Sequence, residues 1–487
     1  MKRQTYVFVT SFRFAEMPNR SAKILRLLWL TALLAASAPL SCRHTPFAPN
    51  RETANLRVAT FRSDVTPPPG APLIWVTPVV GVDDPLWAKG IVLDDGRSRY
   101  VLCAVDWCAL CNSAESLFRR KIAAATATDV SRVAVHTIHQ HTAPYVDGDA
   151  YNLLDSLTSP PLRLSEQFLE DVTDRLADAV RQSIARLEPF DRVGTGEGRV
   201  ERVASARRLR GEGGKIVVRY SNAALKPDMA AAPEGDIDPI LKTVTFARGD
   251  QPLARLHYYA THPQTHQLDG RASADFVGAA REGLERQEKV FQVYFTGCSG
   301  DVTVGKYNDG SPRARDELRR RLQAGMEASI ASTQWAPAGC LTWRTASLTL
   351  PPKTDLTSAT AIYRSKIGNR DKGRDGATQL AGAADLYRSA ITLAFAQRHT
   401  PLMLTSLQIG NVHIVHLPGE PMLEFQKFAQ RILPGSFVAV AGYGDCCTGY
   451  ICTDRAHAEG GYEPTASLVA PGAEALMKNA IQQLLRK

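Results

Sequence analysis

From Leu56 onward, short runs rich in branched apolar residues interleave with longer runs whose apolar positions recur every four residues. That interleaving restricts the chain to the α/β class. Residues 99–106 (RYVLCAVD), 132–136 (RVAVH) and 293–295 read as strands. Phe168, Val172, Leu176, Val180 and Ile184 share one helix face, and Pro189 stops that helix. Ala314, Leu318, Leu322, Met326 and Ile330 make a second helix, capped by Ser311 with Pro312 at its first position. Residues 404–417 read as a hairpin turning at Gly410-Asn411. Leu476, Ala480 and Leu484 mark a C-terminal helix, and residues 369–376 an exposed, charged loop. Neither a repeat nor an interdomain linker interrupts residues 58–487. The expectation is one large α/β domain, with mixed β-sheets flanked by helices and a site at the loops that follow strand ends.

Composition narrows the function. With 44% hydrophobic and 22% charged residues, the chain is neither disordered, collagen-like nor a polytopic membrane protein. Of the net charge of +9, the first 42 residues carry +5, from six Lys/Arg against Glu16. The +4 left is too dispersed for a nucleic-acid partner. Residues 1–42 themselves read as an export signal. Arg20, Lys23 and Arg26 precede an apolar run at 27–38, which ends in small residues and is too short to span a bilayer. Met17 sits just before this pattern and is a candidate true start. Cleavage after Ala38 releases a soluble periplasmic or secreted protein, whereas Cys42 after Leu40-Ser41 suits a lipoprotein associated with the membrane. Residues 43–57 read as a linker.

Export permits disulfides. Cys103, Cys108 and Cys111 have zinc-like spacing without a fourth close partner, and Cys103 reads as a core residue. A bridge is expected within the group Cys446, Cys447 and Cys452.

Histidines concentrate in two segments, HTIHQHTAPY (His136, His139, His141) and YYATHPQTHQ (His262, His266). His139 and His141 follow a strand end, and on an extended chain residues two apart point the same way. Two such segments plus a carboxylate, with Glu420 in HLPGEPMLEF as the candidate, supply the ligands of a catalytic zinc. Hydrogen-bonded loop histidines are the alternative. In FTGCSGDV, Gly297 and Gly300 follow a strand and allow close backbone approach to a ligand.

Several segments, in order, resemble the neutral, non-lysosomal ceramidase family of zinc amidases. They are SDVTPPPG, DDPLWAKGIVLDDG, RVAVHTIHQHTAP, YYATHPQT, RASADFVG, YFTGCSGDV, LPGEP and GYICTDRAHAEGGYEP. The resemblance implies a ceramidase-like zinc hydrolase domain over 58–487. It places His139, His262, Glu420 and Tyr450 on the zinc ligands, and His141 on the histidine that contacts substrate. Tyr462 falls on the tyrosine that supports the amide oxygen, and Arg207 on the active-site arginine, with Arg208 as the other choice. Gly297 stands where the family has a serine, and we expect no counterpart of the family's C-terminal immunoglobulin-like domain. The implied activity is zinc-dependent hydrolysis of an amide bond, in ceramide or another N-acyl compound, by metal-activated water. A zinc esterase, or an inactive envelope binding protein on the same fold, are the alternatives. If the ligand set is right, its atoms lie within about 3–4 Å of one another.

Overall fold

The computed structural model describes residues 55–369 and 376–485. The export signal, Met17, Cys42, most of the linker and the loop at 370–375 lie outside the described residues.

Three mixed sheets carry the domain. The first contains β1 (Arg57–Asp64), β2 (Trp87–Asp94), β3 (Arg99–Val105), β4 (Val133–Thr137) and β5 (Glu188–Pro189), in the order β4-β3-β2-β1-β5. The second contains β6 (Arg192–Arg199), β7 (Ile240–Arg248), β8 (Gln251–Tyr259), β9 (Phe291–Thr296) and β10 (Gln334–Pro337), in the order β9-β8-β7-β6-β10. The third runs β11 (Leu341–Leu348), β12 (Leu402–Ile409), β13 (Val412–His416) and β14 (Phe437–Ala441). Antiparallel pairs dominate, but each sheet ends on one parallel pair: β3 with β4, β8 with β9, β13 with β14. A parallel pair sends both chains out at the same sheet edge, where open α/β folds collect ligand groups. The loops after these six strands hold the histidines, Glu420 and Tyr450.

Helices cover the sheets as their periodicity dictates. Helix α1 (Ser113–Thr126) packs beside α2 (Glu166–Ile184), and α2 lies on β1. Val172, Leu176 and Val180 are buried, and Ser165 accepts from Phe168 N at 3.1 Å as cap. Pro189 plays no part in stopping α2, which ends at Ile184; the proline instead pairs with Arg57 in a sheet edge, where its missing N–H is tolerated. Helix α3 (Asp275–Glu288) packs against α4 (Pro312–Ala331), whose cap Ser311 accepts from Ala314 N at 3.1 Å. The hairpin β12–β13 turns as expected, with Ile409 opposite Val412 and Gly410 at a φ of 57°. Helix α5 (Gly376–Gln397) precedes that hairpin, and α6 (Ala473–Leu485) packs on β11 and β12. Its buried face is Met477, Ala480, Ile481 and Leu484, so Leu476 stands exposed, one position off the expected stripe.

The expected disulfide is absent: all eight described cysteines are free. Cys446 Sγ faces Thr137 Oγ1 at 4.0 Å, whereas Cys452 lies among the charges of Glu463 and Asp301, so the two thiols look to different sides. Cys103, Cys108 and Cys111 are buried and do not gather into a three-cysteine metal cluster; Cys108 instead stands beside His139 and His141, its Sγ 3.9 Å from His139 Nδ1.

Candidate metal centre

The chain leaving β4 continues the parallel ladder for two residues: Ile138 N donates to Val105 O and His139 N to Trp107 O, both at 3.0 Å. His139 then takes a φ of 68°, a left-handed conformation unusual outside glycine and found where structure aims a side chain. The chain is therefore not extended at His139. His139 and His141 nevertheless share a site, with ring centroids 5.2 Å apart.

Each ligand-position histidine is oriented by a backbone carbonyl. His139 Nδ1 donates to Cys108 O at 2.7 Å, and His262 Nδ1 donates to Ser299 O at 2.7 Å. With Nδ1 protonated, each Nε2 presents a lone pair. The two Nε2 atoms lie 3.2 Å apart, and Glu420 Oε2 lies 3.2 Å from one and 3.4 Å from the other. Three acceptors thus meet with no hydrogen between them. Glu420 Oε2 is buried and has no hydrogen-bond partner, and buried polar atoms are rarely left so. A divalent cation satisfies this arrangement, and a carbonyl holding each histidine's far nitrogen is the usual support of a metal ligand. The residues fit zinc, which takes imidazole and carboxylate.

Electrostatics agree. Burial pushes His262 down to about 3, with Arg207 adding to the effect, which keeps the imidazole neutral. Burial alone would raise the Glu420 carboxyl; positive charge at His139 and His262 holds it well below the usual carboxylate range, a part that a cation between them takes when both imidazoles are neutral. Burial also depresses His141, with the neighbouring histidines contributing.

The two-residue pairing of Glu420–Pro421 with Tyr450–Ile451 brings Tyr450 beside this cluster, its ring 6.3 Å from that of His262. Tyr450 OH accepts from Arg207 Nη1 at 2.8 Å. Burial raises the Tyr450 phenol and Arg207 opposes it. Burial would discharge Arg207, but Tyr450 and Glu463 hold its proton. Its guanidinium lies 5.7 Å from the Tyr450 ring and 5.6 Å from that of Tyr462. Arg208 turns elsewhere, to Glu463 at 2.9 Å and Glu459 at 3.2 Å, so Arg207 is the arginine at the centre.

These residues open into a cavity of about 1030 Å³, lined by His139, His141, Arg207, Glu420, Tyr450 and Tyr462 among others. His141 Nδ1 lies 3.3 Å from Gln267 Oε1, and its buried Nε2 has no partner. His266 lines the cavity but pairs with Asp269 at 3.6 Å, and His136 is committed to Gly442 O at 2.6 Å. Gly297 has no room for a side chain: a Cβ there would lie 3.2 Å from Ala260 and closer still to Gln426 Oε1.

Tyr443 is absent from the residues that the sequence points to. It is fully buried, stacks on His139 at 4.3 Å, and its hydroxyl lies 2.7 Å from Ser299 Oγ and 3.4 Å from His262 Nδ1. Its neighbours Gly442 and Gly444 gave no hint of burial. Other matched segments prove to be scaffold. Asp84 accepts from Ser273 Oγ at 2.7 Å and Ala274 N at 2.8 Å, which ties the start of α3 to the chain before β2.

No family model and no curated protein matches the chain. Solved structures do. A neutral ceramidase from Pseudomonas aeruginosa is 15% identical with a TM-score of 0.64, covering 89% of this chain and 74% of that one. A ceramidase complexed with C2 is 15% identical with a TM-score of 0.65, covering 89% of this chain and 75% of that one. The fold of this chain is therefore ceramidase-like.

Proposed function

We propose that this protein is a zinc-dependent amide hydrolase acting on ceramide or another N-acyl compound. The observation that carries the reading is the meeting of His139 Nε2, His262 Nε2 and an unpartnered Glu420 Oε2 within 3.4 Å, at the foot of a large cavity. The ceramidase-like fold supports it. His139, His262, Glu420 and Tyr450 would hold the metal, which when bound supplies Lewis acidity and a lowered pKa for water.

The remaining residues act on the substrate. Tyr462 donates to the amide oxygen as charge develops there, and Arg207 adds a fixed positive charge beside both phenols. His141, which lines the cavity and keeps a buried Nε2 without a partner, carries the proton. Overall, water's oxygen ends on the acyl carbon, the C–N bond breaks, and the amine leaves with a proton through His141.

We also propose export, with anchoring through lipidated Cys42, on the basic–apolar–small pattern of residues 20–42; fractionation and labelling of Cys42→Ala with a radioactive fatty acid test it. The function is tested by metal analysis followed by turnover of N-acyl sphingosine, N-acyl amino acids and simple esters. Stoichiometric zinc with amide turnover supports the reading. Ester turnover alone makes it an esterase, and neither activity makes it a binding protein.

A further inference from the structure

The cavity carries a charge imbalance that amide hydrolysis does not require. Among the described residues lining it, the cations are Arg207, Lys353 and Arg388, and the carboxylate is Glu420. Glu420 faces the two histidines as a metal-ligand position, and Arg207 is committed to Tyr450, with Glu463 behind it. Lys353 and Arg388 are left as positive charge facing the cavity. The Lys353 ammonium donates to the carbonyls of Pro464 and Thr465 at 2.9 Å, which fixes its place without cancelling its charge. Arg388 pairs at 3.1 Å with Asp385, but both side chains are about half exposed and Asp385 does not line the cavity. A pair so exposed is weak and yields readily to a better partner.

Arg388 is also held in place from the cavity side. Its guanidinium lies 4.1 Å from the centre of the Trp75 ring, and Trp75 stacks on Tyr145 at 5.4 Å, so the three form one layered wall. Trp75 and Val76 both adopt positive φ, 55° and 59°. For a β-branched residue that is a true outlier, and strain of this kind persists where a side chain is aimed. Beside the wall, Ile362, Ile391 and Leu468 make the lining apolar. Arg388 and Tyr462 line the same cavity.

We propose, resting on the amide-hydrolase reading, that the preferred substrate is an anionic N-acyl compound whose carboxylate pairs with Arg388 and Lys353 while its apolar body lies along Trp75. The chemical class is the N-acyl amino acid. Neutral two-chain lipids offer the two cations no anionic partner and leave Arg388 with its exposed pair to Asp385.

The test uses the full zinc-loaded chain and three amides with the same acyl group: N-acyl glycine, the neutral N-acyl ethanolamine, and N-acyl sphingosine. N-acyl glycine is expected to have a kcat/KM about ten-fold above the ethanolamide, the size of a charge-assisted hydrogen bond. Added salt lowers that ratio. Arg388→Gln abolishes it through KM rather than kcat, and Arg388→Glu inverts it; both substitutions are at a half-exposed helix position that tolerates change. Equal turnover of the charged and neutral amides, a preference for N-acyl sphingosine, or a ratio unmoved by Arg388→Gln overturns the proposal. If no amide is cleaved, the hydrolase reading fails separately. Calorimetric binding of the glycine and ethanolamine amides to wild type and Arg388→Gln then still decides whether the cavity selects an anion.

Discussion

His139 and His141 stand two positions apart, yet their ring nitrogens are held differently. His139 has its Nδ1 committed to Cys108 O and its Nε2 in the cluster, whereas His141 lines the cavity and keeps a buried, unpartnered Nε2. His139→Ala is therefore expected to lose metal and activity together. His141→Ala should keep the metal and lose about 10²–10⁴ in kcat, the range for a positioned proton-transfer group. Metal content and rate measured on the same preparations check this, and equal metal loss in both variants would reverse the assignment. Tyr443 supports the centre from behind. Tyr443→Phe removes the contact to Ser299 Oγ and is expected to cost ~1 kcal/mol of stability and about ten-fold in zinc affinity. Chemical denaturation and metal titration measure the two effects. The residue-level ligand reading came from motif order, and the geometry brings His139, His262 and Glu420 together. Tyr443 was hidden because burial of a loop tyrosine depends on three sheets converging, which no local pattern encodes.

At the scale of elements, legibility followed periodicity. Helices α2 and α4 and the β12–β13 hairpin sit where their apolar spacing and caps put them, because local pattern and tertiary burial agree there. Helix α6 shows the limit: Leu476 fits a four-residue spacing, but Met477 and Ile481 face β11 and β12 instead, since the sheet decides which stripe is covered. The disulfide expectation failed for a similar reason, as closeness in sequence within 446–452 says nothing of thiol direction. One cap carries a pH prediction. Asp147 is fully buried, accepts from Ala150 N at 3.0 Å at the start of the helix Gly148–Asp155, and takes both Asn112 contacts. Burial pushes its carboxyl up to about 7 from 3.8. The folded state therefore binds this proton more tightly than the unfolded chain. Its contribution is complete below the unfolded value and lost as pH rises through about 7. Wild type should lose a few kcal/mol of stability across that window, at about 1.4 kcal/mol per unit of difference. Asp147→Asn should lessen the slope, with Glu115 and Asp301, which burial pushes up to about 8 and about 6, carrying the rest. Denaturant unfolding at several pH values reads it directly; identical slopes would assign the effect elsewhere.

Across the whole molecule, the centre is built at the carboxyl ends of parallel pairs in three different sheets, and its ligand positions span residues 139 to 450. The α/β class and the strand-end placement were legible because interleaved strand and helix patterns leave few other architectures. The pairing of sheets around one point was not, since contacts across hundreds of residues leave no periodic trace. Such a centre forms only when the domain is folded, so a bound metal would stabilise the whole fold. The proposed zinc site rests on the meeting of His139, His262 and Glu420. Its most direct test is titration of zinc into chelator-stripped wild type and Glu420→Gln, followed by calorimetry. Wild type is predicted to bind one zinc per chain tightly, and Glu420→Gln, which keeps the shape and removes the charge, to lose that binding. No zinc uptake by wild type, or undiminished uptake by Glu420→Gln, would contradict the account.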